Sequence, residues 1–271
     1  MNTYATLDEL KAALNISVTT YDSRLTELLK SASRDLDNVC GREFFSESAT
    51  RYYDGTGGTR LRLDDAQSIS ALTMDSEGDG TYDGETWTEG TDFILDPPNS
   101  WPKTSARIPS WGNYSFDDIP KYVQAVGVWG YGDGTSDPWT ATSITTTVAT
   151  TSGTTLTISA EGTLEVGHTI KVDTEQMWVS AVSTTGDSTA TVIRGVNGTT
   201  PAAHSTGATY TANYPECVRQ AAVWFAAEVY NLQGGAGEQL VGMGDYKVRR
   251  VALDDGMRHR LLGPVLRPEA H

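Results

Sequence analysis

The sequence predicts an α+β chain: a helical core, built from an N-terminal helix hairpin plus a C-terminal helix, with a small sheet and an inserted all-β domain. Three observations predict it. Apolar residues recur three and four apart from Leu7 to Val39, the same spacing returns after Pro215, and between them period-two runs replace it. With 271 residues, 38% of them hydrophobic, the chain has material for one or two domains with a buried core.

The first helix is signalled by Thr6 with Glu9 three residues on, a capping box in which each side chain satisfies a backbone N–H at the helix start. Leu7, Leu10, Ala13 and Leu14 form its apolar stripe. A second helix follows Thr19-Thr20, with Leu25, Leu28, Leu29, Ala32, Leu36 and Val39 on one face and Gly41 placed to stop it. Two such helices on a short connection fold back on each other, because each alone leaves an apolar stripe in water.

From Thr50 to Gly130 the pattern becomes short strands: 50–53, 60–63, 69–74, 92–95 and 122–129, separated by turn residues. Pro97-Pro98, Trp101-Pro102 and Ile108-Pro109 predict an extended surface loop in the middle of this region. From Pro138 to Ala212 the composition shifts to Thr, Ser, Gly and Val, with alternating runs at 154–159, 169–172, 177–182 and 190–194, as in a compact sandwich or barrel. The expected division is therefore a discontinuous domain of residues 1–137 with 213–271, and an insert of residues 138–212 whose removal should leave a folded chain.

A helix from Pro215 to about Asn231 is apolar nearly all round, with Arg219, Gln220 and Glu228 as its clear polar positions. It is either the core helix or partly a subunit contact, which makes Trp224, Phe225 and Tyr230 subunit-packing candidates. A strand over 246–251 and a basic tail follow. Arg249, Arg250, Arg258, Arg260 and Arg267 are either a solvated terminus or a docking segment for an acidic partner.

The net charge of −15 and pI near 4.6 argue against a protein that grips duplex DNA, which needs cations to displace counterions from phosphates. No apolar run approaches membrane-spanning length, and the N-terminus lacks the basic-then-apolar pattern of a signal peptide, so synthesis in a cytoplasm is expected. In that setting Cys40 and Cys217 are expected to stay reduced.

Candidate chemistry is sparse. Asp75, Glu77, Asp79 and Asp83, with Gly80 at the sixth position, imitate a calcium loop, but Thr86 stands where the closing acid belongs, so an acidic hairpin loop is the favoured reading. His168, His204, His259 and His271 show no zinc spacing, and no nucleophile elbow or phosphate loop is present. No catalytic residue, cofactor or resident metal is expected.

The stretches Leu7 to Lys11, Leu28 to Ser33, and the junction from Gly41-Arg42-Glu43-Phe44 to Tyr52-Tyr53-Asp54-Gly55 together resemble the head-tail connector (adaptor) proteins of long-tailed bacteriophages. Asn213 to Ala222 looks like the start of that family's last helix, so the resemblance covers roughly residues 5–135 and 213–265. The run Val192 to Thr200, with His204 and Gly207, resembles a β-module inserted in phage virion proteins. The resemblance implies a structural protein of the virion neck, made in the host cytoplasm. It implies a homo-oligomeric ring of roughly twelve copies between the portal ring and a stopper or tail-completion protein. DNA would pass through the bore without specific binding, no membrane is involved, and the basic tail would engage the portal. The alternatives are another neck or tail-completion protein and, in a different class, an adhesive or carbohydrate-binding β-module.

Overall fold

Helix α1 (Leu7–Leu14) begins where the sequence places it: Thr6 Oγ1 accepts from the Glu9 N–H at 3.3 Å, and Glu9 Oε2 accepts from the Thr6 N–H at 2.8 Å. Helix α2 (Asp22–Cys40) ends at Gly41, whose φ of 65° is the left-handed cap that lets its N–H reach the Asp37 carbonyl. Helix α3 (Glu216–Leu232) follows Pro215, whose carbonyl accepts from Val218 and Arg219, so the proline sits one residue before the helix rather than at its first position. The three helices pack on one another. Leu10, Leu25, Leu29 and Leu36 are fully buried together with Val218, Ala221, Ala222 and Ala226.

The computed structural model describes residues 2–84, 86–159, 163–183, 188–232 and 262–267. It divides into two units: Met1–Arg42 with Trp139–Val196 and Thr200–His271, and Glu43–Pro138 with Asn197–Thr199.

The second unit is an open antiparallel sheet of β1 (Glu47–Tyr53), β2 (Arg60–Met74), β3 (Thr86–Trp87), β4 (Ile94–Asp96), β5 (Lys103–Arg107) and β6 (Val123–Trp129), ordered β1-β6-β2-β5-β4, with β3 on β2. Two of the expected strands are one: β2 runs through 15 residues, its register shifting between Arg62 and Ala66 as it trades β5 for β6. The proline-rich loop is also corrected, because β5 lies inside it and Lys103 is buried, donating to the Pro97 and Pro98 carbonyls at 2.6 and 3.0 Å. Prolines mask this strand from a pattern reading but leave its five residues free to pair. The core is aromatic, with Trp87, Phe93, Phe116, Tyr122 and Trp129 buried among Leu61, Leu63 and Leu72.

The Thr-rich stretch forms a closed barrel of β7 (Trp139–Val148), β8 (Thr155–Ile158), β9 (Thr169–Val172), β10 (Glu175–Val182), β11 (Thr189–Ile193) and β12 (His204–Ala212), ordered β10-β11-β8-β7-β12-β9. Closure pairs every edge, which suits short alternating strands with small side chains. Its core is aliphatic: Ile144, Leu156, Ile158, Ile170, Val172, Met177 and Val179 are at most 2% exposed.

In the same unit, residues 2–6 are pressed between barrel and helices. Asn2, Thr3, Tyr4 and Ala5 are all buried. Leu7 N–H donates to the Val166 carbonyl at 2.9 Å, Thr3 Oγ1 to the Gly167 carbonyl at 2.8 Å and Trp178 Nε1 to Thr3 Oγ1 at 3.3 Å. On the other side Tyr4 N–H donates to Ser33 Oγ at 3.1 Å, its hydroxyl to Asp37, and the Tyr214 ring meets it edge-on at 4.8 Å. Gly167, at φ 105°, runs so close that a Cβ there would lie 3.0 Å from the Ala5 carbonyl oxygen.

Candidate interface groove and the placement of the candidate residues

Helix α3 buries one side and leaves the other partly open. Val218, Ala221, Ala222, Phe225, Ala226 and Tyr230 face inward, whereas Trp224 is 36% exposed. Between this open side and α1 lies a groove of about 350 Å³. Ala13, Val223, Trp224 and Ala227 supply its apolar surface. Ala13 therefore does not belong to the buried stripe of α1, where Leu7 and Leu10 carry the packing.

The rim is charged and ordered. Arg219 Nη1 donates to Glu216 Oε2 at 2.9 Å, and its Nη2 donates to Glu9 Oε1. Glu9 thus caps α1 with one oxygen and ties α3 with the other. Burial works to lower the Arg219 pKa, but the Glu9 hydrogen bond and the charges of Glu9, Glu216 and Glu165 more than offset it, so the guanidinium is held charged. An apolar floor with fixed charges at its edge is the arrangement of a protein-docking surface.

A second constellation lies in the barrel, and sequence reasoning missed it. Glu175 is fully buried and receives Arg194 through two bonds, Nε to Oε1 and Nη2 to Oε2, both 2.6 Å. Gly195 and Ala202 N–H groups donate to the same carboxylate at 3.2 and 2.9 Å, and His204 Nε2 lies 2.9 Å from it. Burial pushes the Glu175 carboxyl upward, and the bonds from Arg194, Ala202 and His204 outweigh it, holding it below the usual carboxylate range. Arg194 Nη1 also reaches the Gly153 and Thr150 carbonyls at 2.7 and 3.2 Å. The network has no open position for a substrate; it is a staple between strand ends. The signal available in sequence was that Arg194 is the one arginine between Arg107 and Arg219.

The other candidates fall apart spatially or chemically. Asp75 is buried and spends its carboxylate on its own loop, Oδ1 accepting from the Gly78 and Asp79 N–H groups at 2.8 and 3.2 Å and Oδ2 from Gly80 at 2.9 Å. Asp79 accepts from the Thr81 N–H at 2.8 Å and from its hydroxyl, and these bonds lower its pKa. Glu77 and Asp83 are exposed. Among the described residues no group of three or more His, Cys, Asp or Glu is placed to hold a metal ion. Of the three subunit-packing candidates, Phe225 and Tyr230 are 7% and 2% exposed and belong to the helical core, leaving Trp224 at the surface. Arg249, Arg250, Arg258 and Arg260 lie outside the described residues, as does the strand expected over 246–251. Arg267 is not part of a loose tail: its N–H donates to the Cys40 carbonyl at 3.0 Å, behind the buried Leu262 and Val265. Cys40 is buried and Cys217 half-buried, and no disulfide joins them.

Residues 4–73 match the family of phage gp6-like head-tail connector proteins. The matched stretch covers α1, α2, β1 and β2 up to Thr73, and does not extend to the barrel. No curated protein and no solved structure matches the chain. The matched family is named for the connection between head and tail of a phage particle. The resemblance carried by the helix pair and its junction is therefore supported over this stretch: residues 4–73 are similar to the phage gp6-like head-tail connector family.

Proposed function

We propose that the chain is the adaptor subunit of a long-tailed phage neck, a ring of roughly twelve copies seated between portal and tail with DNA passing through its bore. One observation carries the reading. The connector match falls on an unbroken passage of structure, from the capped start of α1 through α2 to the β1 and β2 strands. A net charge of −15 supports a conduit, since a bore without exposed cationic arrays lets DNA slide without counterion-releasing contacts.

In this reading residues 1–137 and 213–271 are the connector domain and the barrel of 138–212 is an insertion in it. The portal ring lies on one side, and the stopper or tail-completion protein on the other. The arginine-rich segment with Arg249, Arg250, Arg258 and Arg260 docks on the portal, and Arg267 anchors its far end to α2. The chain is made in the host cytoplasm and ends in the virion.

The test is a conditional knockout of the gene in infected cells. DNA-filled heads bearing portals and separate, complete tails that fail to join are expected. Joined virions of normal infectivity would overturn the reading.

A further inference from the structure

The chain leaves α3 at one end of the helical layer and comes back at the other. The Tyr230 ring lies 5.3 Å from the Arg24 guanidinium and 6.3 Å from the Tyr21 ring, so the last turn of α3 meets the start of α2. The end of α2 meets the start of α3 through Tyr4, whose hydroxyl donates to Asp37 and whose ring meets Tyr214 edge-on at 4.8 Å. At that second end lies Arg267, its N–H on the Cys40 carbonyl at 3.0 Å, just after the buried Leu262 and Val265. Residues 233–261 therefore join the two ends of the layer, and the 19 residues of α2 set that distance at ~28 Å.

The open faces of the layer differ as paths for this connection. The exposed positions of α2 are Ser23, Arg24, Glu27, Ser31, Asp35 and Asn38, all polar. The α1–α3 groove instead runs from Ala227 past Trp224 and Val223 to Glu216, which is the direction the connection takes, over an apolar floor. The sequence is ordered to match: Gly234-Gly235-Ala236-Gly237 follows α3 at once, where a reversal needs conformational freedom, and Leu240-Val241-Gly242-Met243 comes next. From Leu232 back to Val223 is ~14 Å of helical rise, and an extended chain from Gly237 to Val241 covers ~13 Å.

We propose that residues 239–243 of the same chain lie in the α1–α3 groove as a strap, with Leu240, Val241 and Met243 set against Val223, Trp224 and Ala13. Size fits, since a cavity of roughly 150 Å³ accepts benzene and the groove of about 350 Å³ takes two side chains of that size. The strap covers the open side of a helix that is apolar nearly all round. It also ties the near end of the arginine-bearing stretch, whose far end is held at Cys40. This holds whether or not that stretch meets a portal.

The test uses the purified full chain in a Cys217→Ala background. Residues 239–243 are changed to Cys one at a time against Ala13→Cys, an exposed position on α1, with Glu27→Cys on the outer face of α2 as the control partner. Mild oxidation at micromolar protein should close an intrachain disulfide with position 13, strongest from 240 or 241, seen as a faster monomer band on a non-reducing gel. Maleimide should label Ala13→Cys at least tenfold faster once Leu240, Val241 and Met243 are all changed to Ser, with circular dichroism confirming that the helices persist. Covalent dimers in place of the intrachain bond would give the groove to another copy, and closure onto position 27 would route the connection over α2. Either result, like equal labelling rates or no crosslink to position 13 at all, would overturn the strap.

Discussion

The barrel and the open sheet are both antiparallel, yet they are held by opposite means. The barrel closes on itself around small aliphatic side chains, and its strand ends are fastened by one buried ion pair, Arg194 with Glu175. The sheet leaves β1 and β4 as edges and relies on a core of large aromatics. Trp129 shows how: its Nε1 donates to the Ala49 carbonyl at 2.8 Å while the Arg51 guanidinium lies 4.8 Å from its ring. Closure lets weakly apolar Thr-rich strands suffice, because no backbone edge is left unpaired. Openness demands bulk, and it leaves bulk outside as well: Tyr52, Trp111 and Tyr114, three of the four large exposed aromatics among the described residues, belong to the sheet unit.

Excision of residues 139–212 gives the largest effect. The sheet core is drawn from residues 61–129, so its strand signal should persist in circular dichroism. The helical signal should weaken, because Asn2, Thr3, Leu7 and Lys30 lose barrel partners such as Thr169, Gly167, Val166 and Trp178. Full retention of helix would instead show that the helical core stands without the barrel.

Glu175→Ala strands a guanidinium that is only 6% exposed, and should cost about 3–5 kcal/mol in denaturant unfolding. Hydrogen exchange should place the loss in 139–212. Trp129→Ala should cost a similar ~3–5 kcal/mol through cavity formation, with its exchange signature in β1, β2 and β6 instead. Matching signatures from the two substitutions would erase the contrast between the regions.

A smaller effect comes from pH. Burial depresses the His168 pKa despite the nearby Glu165 and Glu9 charges, and its Nδ1 accepts from the Glu165 N–H at 3.1 Å. The unfolded chain then binds a proton near its ordinary pKa of 6.5 while the folded chain resists it, so stability falls as pH drops below that value. Glu175 adds a loss at lower pH, since its folded carboxyl titrates below the unfolded value of 4.5. Urea titrations should show His168→Gln flattening the upper part of this decline and leaving the lower part. The smallest change is Thr6→Ala, at about 1 kcal/mol for a lost N-cap.

What the sequence made legible is local. The Thr6–Glu9 box, the Gly41 stop and the strand Thr169–Val172 each follow from residues within a few positions of one another. β7 and β12 were not legible: bulges break the alternation of β12, and Thr-rich β7 carries almost no apolar contrast. The groove was hidden for a different reason. Ala13 reads as core by its spacing, Trp224 reads as a subunit-packing candidate no different from Phe225 and Tyr230, and only the packing of α1 on α3 shows that Ala13 and Trp224 stay open while the other two are buried. The ion pair joins residues 19 apart through barrel closure, which no periodicity encodes.

The account stands or falls on where the chain sits in the virion. Cryo-electron microscopy of the virion neck should place the α1–α2 hairpin, the β1–β6 sheet and the barrel in density directly beneath the portal, repeated around the tail axis. Density for the chain at any other level, in the tail tube or on the capsid surface, would contradict the adaptor assignment.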